Sequence, residues 1–463
     1  MASGHLEVVI PSSLGAGQLH SSLVEARNVD VAHNSDSDDA SDDLQDEQVA
    51  AEVLLEKNWK RYRLRAKKRQ GHFAVRSLVR CLALTRIVHG DDSWRRAHIH
   101  SELATAYLEL QDMPMQAVKH SQTAVDMTIR LYQKLKGDMI ETGSENYGDD
   151  DQLGKRSNQN LIEILTVLSS AHFGLGKALF ALGKYAEGEA ALVNAQQYAD
   201  ELQCSSTYSN QVTTVEIYKA LGLCCLKQKK TRLAGDYLDQ AEKLAINLYG
   251  EDAVQMIDIH QNMGKVRQQR NELEGAVEEY LKAFSIAVTR NGQESASAAG
   301  AGHCLAAAYL AIGGSDAETV AEGYLNDCLA IYQRLHGPQS KKSVEIQKEL
   351  CRLMLRMSRH KEATELLLEV VRASCLVYGD PSAEVAASYK LLGTVFLSQG
   401  HVDRTLVQYQ KSYEMFRTVC GPRHKQTVDV QQKIDMLARS STAGAETTKK
   451  SFNQRPRFRT VVK

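Results

Sequence analysis

Apolar and small residues recur with helical spacing over residues 51–440, and the pattern itself repeats. Glycine follows an apolar helical end at Gly250, Gly292, Gly337, Gly379 and Gly421, at spacings of 42, 45, 42 and 42 residues. Proline comes next at Pro338 and Pro422, and one residue later at Pro381. Such glycines predict left-handed helix C-caps, and such prolines predict the first turn of the following helix. Thirteen residues past each glycine stands an apolar position: Met263, Leu305, Leu350, Leu392, Ile434. A small residue usually follows it, as in Gly264, Ala306, Cys351 and Gly393. Further on come a small or hydroxyl residue (Ala276, Ala321, Ala363, Thr405), then Tyr280, Leu325, Leu367 and Tyr409, and then Ala283, Cys328, Val370 and Ser412. The spacing predicts two antiparallel helices per unit, with small side chains where they cross.

The same template fits four earlier units. They centre on Leu221-Gly222, Leu175-Gly176, Leu103-Ala104 and Tyr62, the last without a Leu-Gly pair in its first helix. Eight helix pairs and a solitary C-terminal capping helix over 427–439 therefore fill residues 51–440. The fold class is all-α. Stacked pairs bury a continuous core, which predicts one superhelix in place of the two to four domains that length alone suggests.

This pattern resembles the tetratricopeptide repeat in the longer 42-residue form found in kinesin light chains. The resemblance implies a concave groove lined by one face of each first helix. Spacing puts Lys219, Gln261, Lys265, Gln268, Lys348, Arg352, Lys390 and Thr394 on that face. Two readings stand there: solvated side chains on exposed helices, or a mildly basic groove for an acidic peptide held by charge-assisted hydrogen bonds. Around His303 the face offers only Gly300 and Ala307, which suggests a bend or room for a bulky partner residue.

Charge sets off the ends. Residues 1–50 carry ten acids and one base, Arg27, and predict a disordered acidic tail. Residues 441–463 carry six bases against Glu446 and predict a disordered basic tail, while the polar stretch 137–160 predicts a flexible insert. Residues 51–72 hold eight bases against Glu52 and Glu56. Their run 57–69 reads as a nuclear localisation signal, as a calmodulin-target or membrane-surface helix, or as the polar outer helix of a terminal repeat.

Composition narrows the class. Only 6 of 463 residues are proline, about 1% where roughly 5% is usual, which favours continuous helix. A formal net charge of −1 gives the chain no general attraction for nucleic acid. No apolar run of membrane-spanning length and no secretory leader are read, and nine cysteines without a C-x-x-C pair suggest a reduced compartment. The stretch Gly174-Leu175-Gly176-Lys177-Ala178 lacks the glycine and the Ser/Thr of a phosphate loop. His98 and His100, two apart, fall on different helix faces and predict no metal site. Cys81, Cys328 and Cys351 occupy positions that need small residues, and read as buried structural thiols. The expectation is a protein without catalytic residues or cofactor.

A second resemblance is narrower. Leu78 to Arg86, then Gly90-Asp91 and Trp94, then Leu103 through Tyr107-Leu108, resemble the tetratricopeptide repeat protein 23 family. So do Gly379-Asp380, Glu384-Val385-Ala386, Tyr389, Leu391-Leu392-Gly393 and Gln399-Gly400. The resemblance implies an interaction scaffold at the base of the primary cilium, with protein partners in the Ellis–van Creveld complex and a role in hedgehog signalling. The alternative is a kinesin-light-chain-like cargo or transport adaptor in the cytoplasm. Against it, no heptad pattern precedes the repeats to pair with a heavy chain.

Overall fold

A computed structural model describes the backbone of residues 40–141, 152–205 and 211–452, and side chains within 49–137, 158–202 and 212–439. Among the described residues there are seventeen helices and no strand. They make eight antiparallel pairs and a last single helix, the tetratricopeptide-repeat solenoid class. The chain divides into two compact units at Leu248–Tyr249, where stacking had suggested one. Repeats touch only their neighbours, so a solenoid can part between any two of them.

The first unit holds α1 (Ala40–Lys67), α2 (Gly71–His89), α3 (Trp94–Gln111), α4 (Pro114–Glu141), α5 (Gln152–Ala181), α6 (Tyr185–Ser205), α7 (Gln211–Lys227) and α8 (Thr231–Tyr249). The second holds α9 (Val254–Gln269), α10 (Leu273–Asn291), α11 (Ala296–Ile312), α12 (Ser315–His336), α13 (Lys341–Arg356), α14 (His360–Tyr378), α15 (Ala383–Ser398), α16 (Val402–Cys420) and α17 (Lys425–Phe452).

The crossings follow the repeat template. Ala74, Ala117, Ala234, Ala276, Ala321 and Ala363 are all fully buried. A Cβ on Gly264 would lie 2.5 Å from Tyr280 Cε1, and one on Gly393 2.5 Å from Tyr409 Cδ1. Where the first helix instead carries Ala306 or Cys351, the facing residue is Leu325 or Leu367, in the same packed cluster. In the second unit a missing Cβ is thus matched by a larger ring, which keeps interior volume filled. The unit built on Tyr62 closes as expected, with Ala74, Leu78 and Cys81 in one core.

The turns depart from expectation in two ways. The five repeat glycines do have positive φ, between 76° and 89°. At Gly337 and Gly379, however, ψ is 161° and 162°, an extended region essentially closed to side chains rather than the left-handed helical one. Left-handed caps occur instead within pairs, at Lys229, Asn271 and Ser358 among others. There the next N–H bonds back five residues, as Lys230 N to Cys225 O and Arg359 N to Met354 O. The prolines Pro338, Pro381 and Pro422 stand in the linkers, two or three residues before α13, α15 and α17 begin, not in a first turn. Helix entry is set by serine: the hydroxyls of Ser93, Ser295, Ser340 and Ser382 accept from Arg95, Ala298, Ser343 and Val385 N–H.

Parts of the expected tails and insert fall within described helices. α1 begins at Ala40, α4 runs to Glu141, α5 starts at Gln152, and α17 continues to Phe452. The remainder of those three expectations, residues 1–39, 142–151 and 453–463, lies outside the described residues. The expectation of no membrane-length apolar run also needs amendment: Asn158–Ala181 in α5 is long and apolar enough to cross one. Two-thirds of that apolar window is buried inside the unit, and α5 packs between α4 and α6.

One polar centre sits at the crossing of α9 and α10. Glu279, 2% exposed, receives His260 Nδ1 at 2.8 Å, Arg267 Nη2 at 3.0 Å and Lys282 Nζ at 3.1 Å. Burial alone would raise its pKa, but the hydrogen bonds from His260 and Lys282 outweigh that and hold the carboxyl below its usual range.

Candidate functional site

The second unit carries seven of the eight residues assigned to the peptide-binding face, and most of them already have partners. Lys390 Nζ lies 2.5 Å from Asp429 on α17 and 3.2 Å from Gln426 Oε1. Lys348 Nζ donates to the backbone carbonyl of Glu384 on α15 at 3.2 Å and stands 5.6 Å from the Tyr378 ring centre. Burial, and then the charge of Arg352, lower the Lys348 pKa from the ordinary lysine value. Lys265 donates to Asn262 Oδ1, one turn back on its own helix, at 3.1 Å. Gln268 Oε1 accepts from Tyr280, and Thr394 shares a hydrogen bond with Tyr409 at 3.2 Å, so both steady the rings that fill the glycine crossings. Gln261 is half-buried on α9. Lys219 belongs to the first unit, on α7, where it pairs with Glu216 at 2.9 Å and is 11% exposed.

Two of these contacts, with one more, form a ladder between successive first helices. His303 Nε2 on α11 meets Glu349 Oε2 on α13 at 2.6 Å. Lys348 on α13 reaches α15, and Lys390 on α15 reaches α17. The side chains expected to await a partner therefore link neighbouring repeats, and His303, expected near a bare patch, supplies the first rung. Arg352 is the exception: it is exposed and has no acidic partner among the described residues.

The first unit has similar links. Tyr62 donates to Glu102 at 2.6 Å, Lys177 pairs with Glu109 at 2.5 Å, and Glu189 takes Gln228 at 2.5 Å and Lys230 at 2.7 Å. Gly174 to Ala178 lie inside α5, where a Cβ on Gly176 would fall 2.5 Å from Leu192 Cγ, a packing contact. His100 and His98 diverge: His100 Nδ1 is 3.0 Å from His120 Nδ1, while the His98 ring packs 5.6 Å from Trp59. Burial, then the nearby His120, push His100 down to about 3. Among the described residues no group of three or more His, Cys, Asp and Glu could hold a metal ion. Cys81, Cys328 and Cys351 are buried, which pushes each thiol up to about 12 and keeps it protonated.

No family model matches the chain. The human tetratricopeptide repeat protein 23 is 28% identical over 368 residues, 79% of this chain and 77% of that protein. The Bos taurus protein of the same name is 27% identical over 370 residues, 79% and 78% of the two chains. A solved structure of a Podosopora anserina putative kinesin light chain with nearly identical TPR-like repeats is 18% identical, with a TM-score of 0.40, and covers 44% of this chain and 95% of that one. The aligned span takes in most of the described helices, and the crossings, burial and pairing found in both units are those of the repeat read from the sequence. The chain has the tetratricopeptide-repeat fold and is similar, at 27–28% identity over about four-fifths of its length, to tetratricopeptide repeat protein 23.

Proposed function

We propose that the protein is a non-catalytic interaction scaffold at the base of the primary cilium, where it supports hedgehog signalling by holding protein partners. The single observation that carries the reading is homology to tetratricopeptide repeat protein 23 across most of both chains. The exposed, unpartnered Arg352 on the first-helix face of the second unit favours an acidic peptide segment as the thing held. On the same face Lys348 and Lys390 link their helices to the next repeat. Partners in the Ellis–van Creveld complex fit this reading.

Proximity labelling with the full chain in ciliated cells tests the location. Enrichment of ciliary-base proteins over a cytosolic control is the expected result. Labelling dominated by kinesin heavy chain and vesicle cargo, without ciliary proteins, would contradict it.

A further inference from the structure

The first unit contains an open cavity of about 360 Å³, well away in sequence from the face discussed above. The end of α2, the start of α3, the stretch of α4 from Leu131 to Leu135, and Asn160 and Ile164 of α5 line it. Its base is apolar: Leu131 and Leu135 lie beside Ile164, which is 5% exposed. Trp94 joins them and packs on Ala97, Met127 and Val167.

The rim is cationic. The Arg95 guanidinium stands 4.9 Å from the Trp94 ring centre, with Nη1 3.4 Å from His89 Nδ1. Lys134 is exposed on the α4 wall between Leu131 and Leu135, and neither it nor Arg95 has an acidic partner among the described residues. The acid in the adjoining turn is already taken, since Asp91 binds Arg86 at 2.9 Å and Arg96 at 2.7 Å. Among the described residues Asp92 is the one carboxylate in the lining. Burial, with help from Arg95, lowers the His89 pKa and leaves that imidazole neutral at pH 7.

We propose that this cavity docks an acidic segment of a partner protein, with an apolar side chain on Trp94 and Ile164 and carboxylates on Arg95 and Lys134. Charge complementarity selects the occupant. Two cations face a single carboxylate, so an anionic ligand is favoured. The apolar base asks for a side chain that a free phosphate lacks. This site is independent of the proposed role of Arg352, and either can fail without the other.

The chain has two tryptophans, so Trp59→Phe leaves Trp94 as a reporter inside the cavity. A short peptide of Glu and Asp around Leu and Phe, titrated into that full-length variant, should shift Trp94 emission saturably. Adding Arg95→Glu and Lys134→Glu should weaken binding at least about tenfold with helicity unchanged, and the milder Arg95→Gln and Lys134→Gln should weaken it less. On the unreversed chain, added salt should weaken binding as well. Lys348→Glu with Arg352→Glu should leave the Trp94 titration as it was. Equal affinity for a Gln/Asn version of the peptide, or full affinity after the double reversal, would overturn the proposal. So would a Trp94 response to phosphatidylserine vesicles with none to the peptide, which would make the cavity a lipid contact.

Discussion

Replacing Glu279 with alanine should destabilise the second unit by about 3 kcal/mol, the low end of the cost of breaking a buried ion pair. The side chain is 2% exposed and is the common acceptor for His260, Arg267 and Lys282. Its loss leaves three donors without their anion. The cost stays at the low end because Lys282 and Arg267 still reach water, at 56% and 33% exposure. The effect has a defined pH dependence. The folded carboxyl titrates below its usual range, so its contribution is complete above the unfolded value of about 4.3 and is lost as pH falls through the folded one. Denaturant melts of the two chains should therefore differ at pH 7 and converge at low pH. A constant gap down to pH 2 would show that packing, not charge, sets the loss.

The second large effect is expected at Gly393. Leucine there would drive its Cβ to 2.5 Å from Tyr409 Cδ1 and Cε1 and then add three more carbons. Tyr409 is 1% exposed and its hydroxyl is tied to Thr394, so the ring has little room to withdraw. Overpacking of this kind costs about 1–3 kcal/mol, occasionally more. Gly323 on α12 is the matched control: nothing lies within 4 Å of a Cβ there, and its backbone is helical. Gly323→Ala should stabilise by about 0.5–1 kcal/mol through helix propensity. Thermal melts in which Gly393→Leu matches the parent would mean that the helices do not cross at that residue.

Much of the fold was legible because the repeat writes both sides of each contact into a short stretch. Gly393 and Tyr409, or Ala306 and Leu325, belong to one helix pair and recur at a fixed spacing, so period and side-chain size locate the crossing. The caps were less legible. Glycine announces a positive φ, yet only the following chain direction decides between a left-handed and an extended ψ; the serine caps, by contrast, keep the repeat period, three residues past Gly90, Gly292, Gly337 and Gly379.

The candidate site was legible only as a face. Spacing puts Lys348, Arg352 and Lys390 on one side of their helices, but Asp429, Glu384 and Glu349 arrive from the next repeat, 36 to 46 residues from the side chains they meet. Nothing local marks them as partners. The cavity around Trp94 was hidden for the same reason. Its walls come from four helices, and Arg95 and Lys134 each read as an ordinary solvated base.

The central claim is that repeated helix pairs present a fixed cationic position to an acidic partner segment. The most direct measurement uses Arg352→Glu alone. Reversing Lys390 or Lys348 would also break the links to Asp429 and Glu384, so those variants confound binding with structure. Arg352 is exposed and lacks such a link, and its reversal should leave stability within about 0.5 kcal/mol of the parent. Quantitative recovery of the proposed ciliary-base partners by purified full-length protein, parent against variant at matched salt, is the test. The account predicts a clear loss of recovery with an unchanged melting temperature. Recovery equal to that of the parent, at both low and high salt, would contradict it.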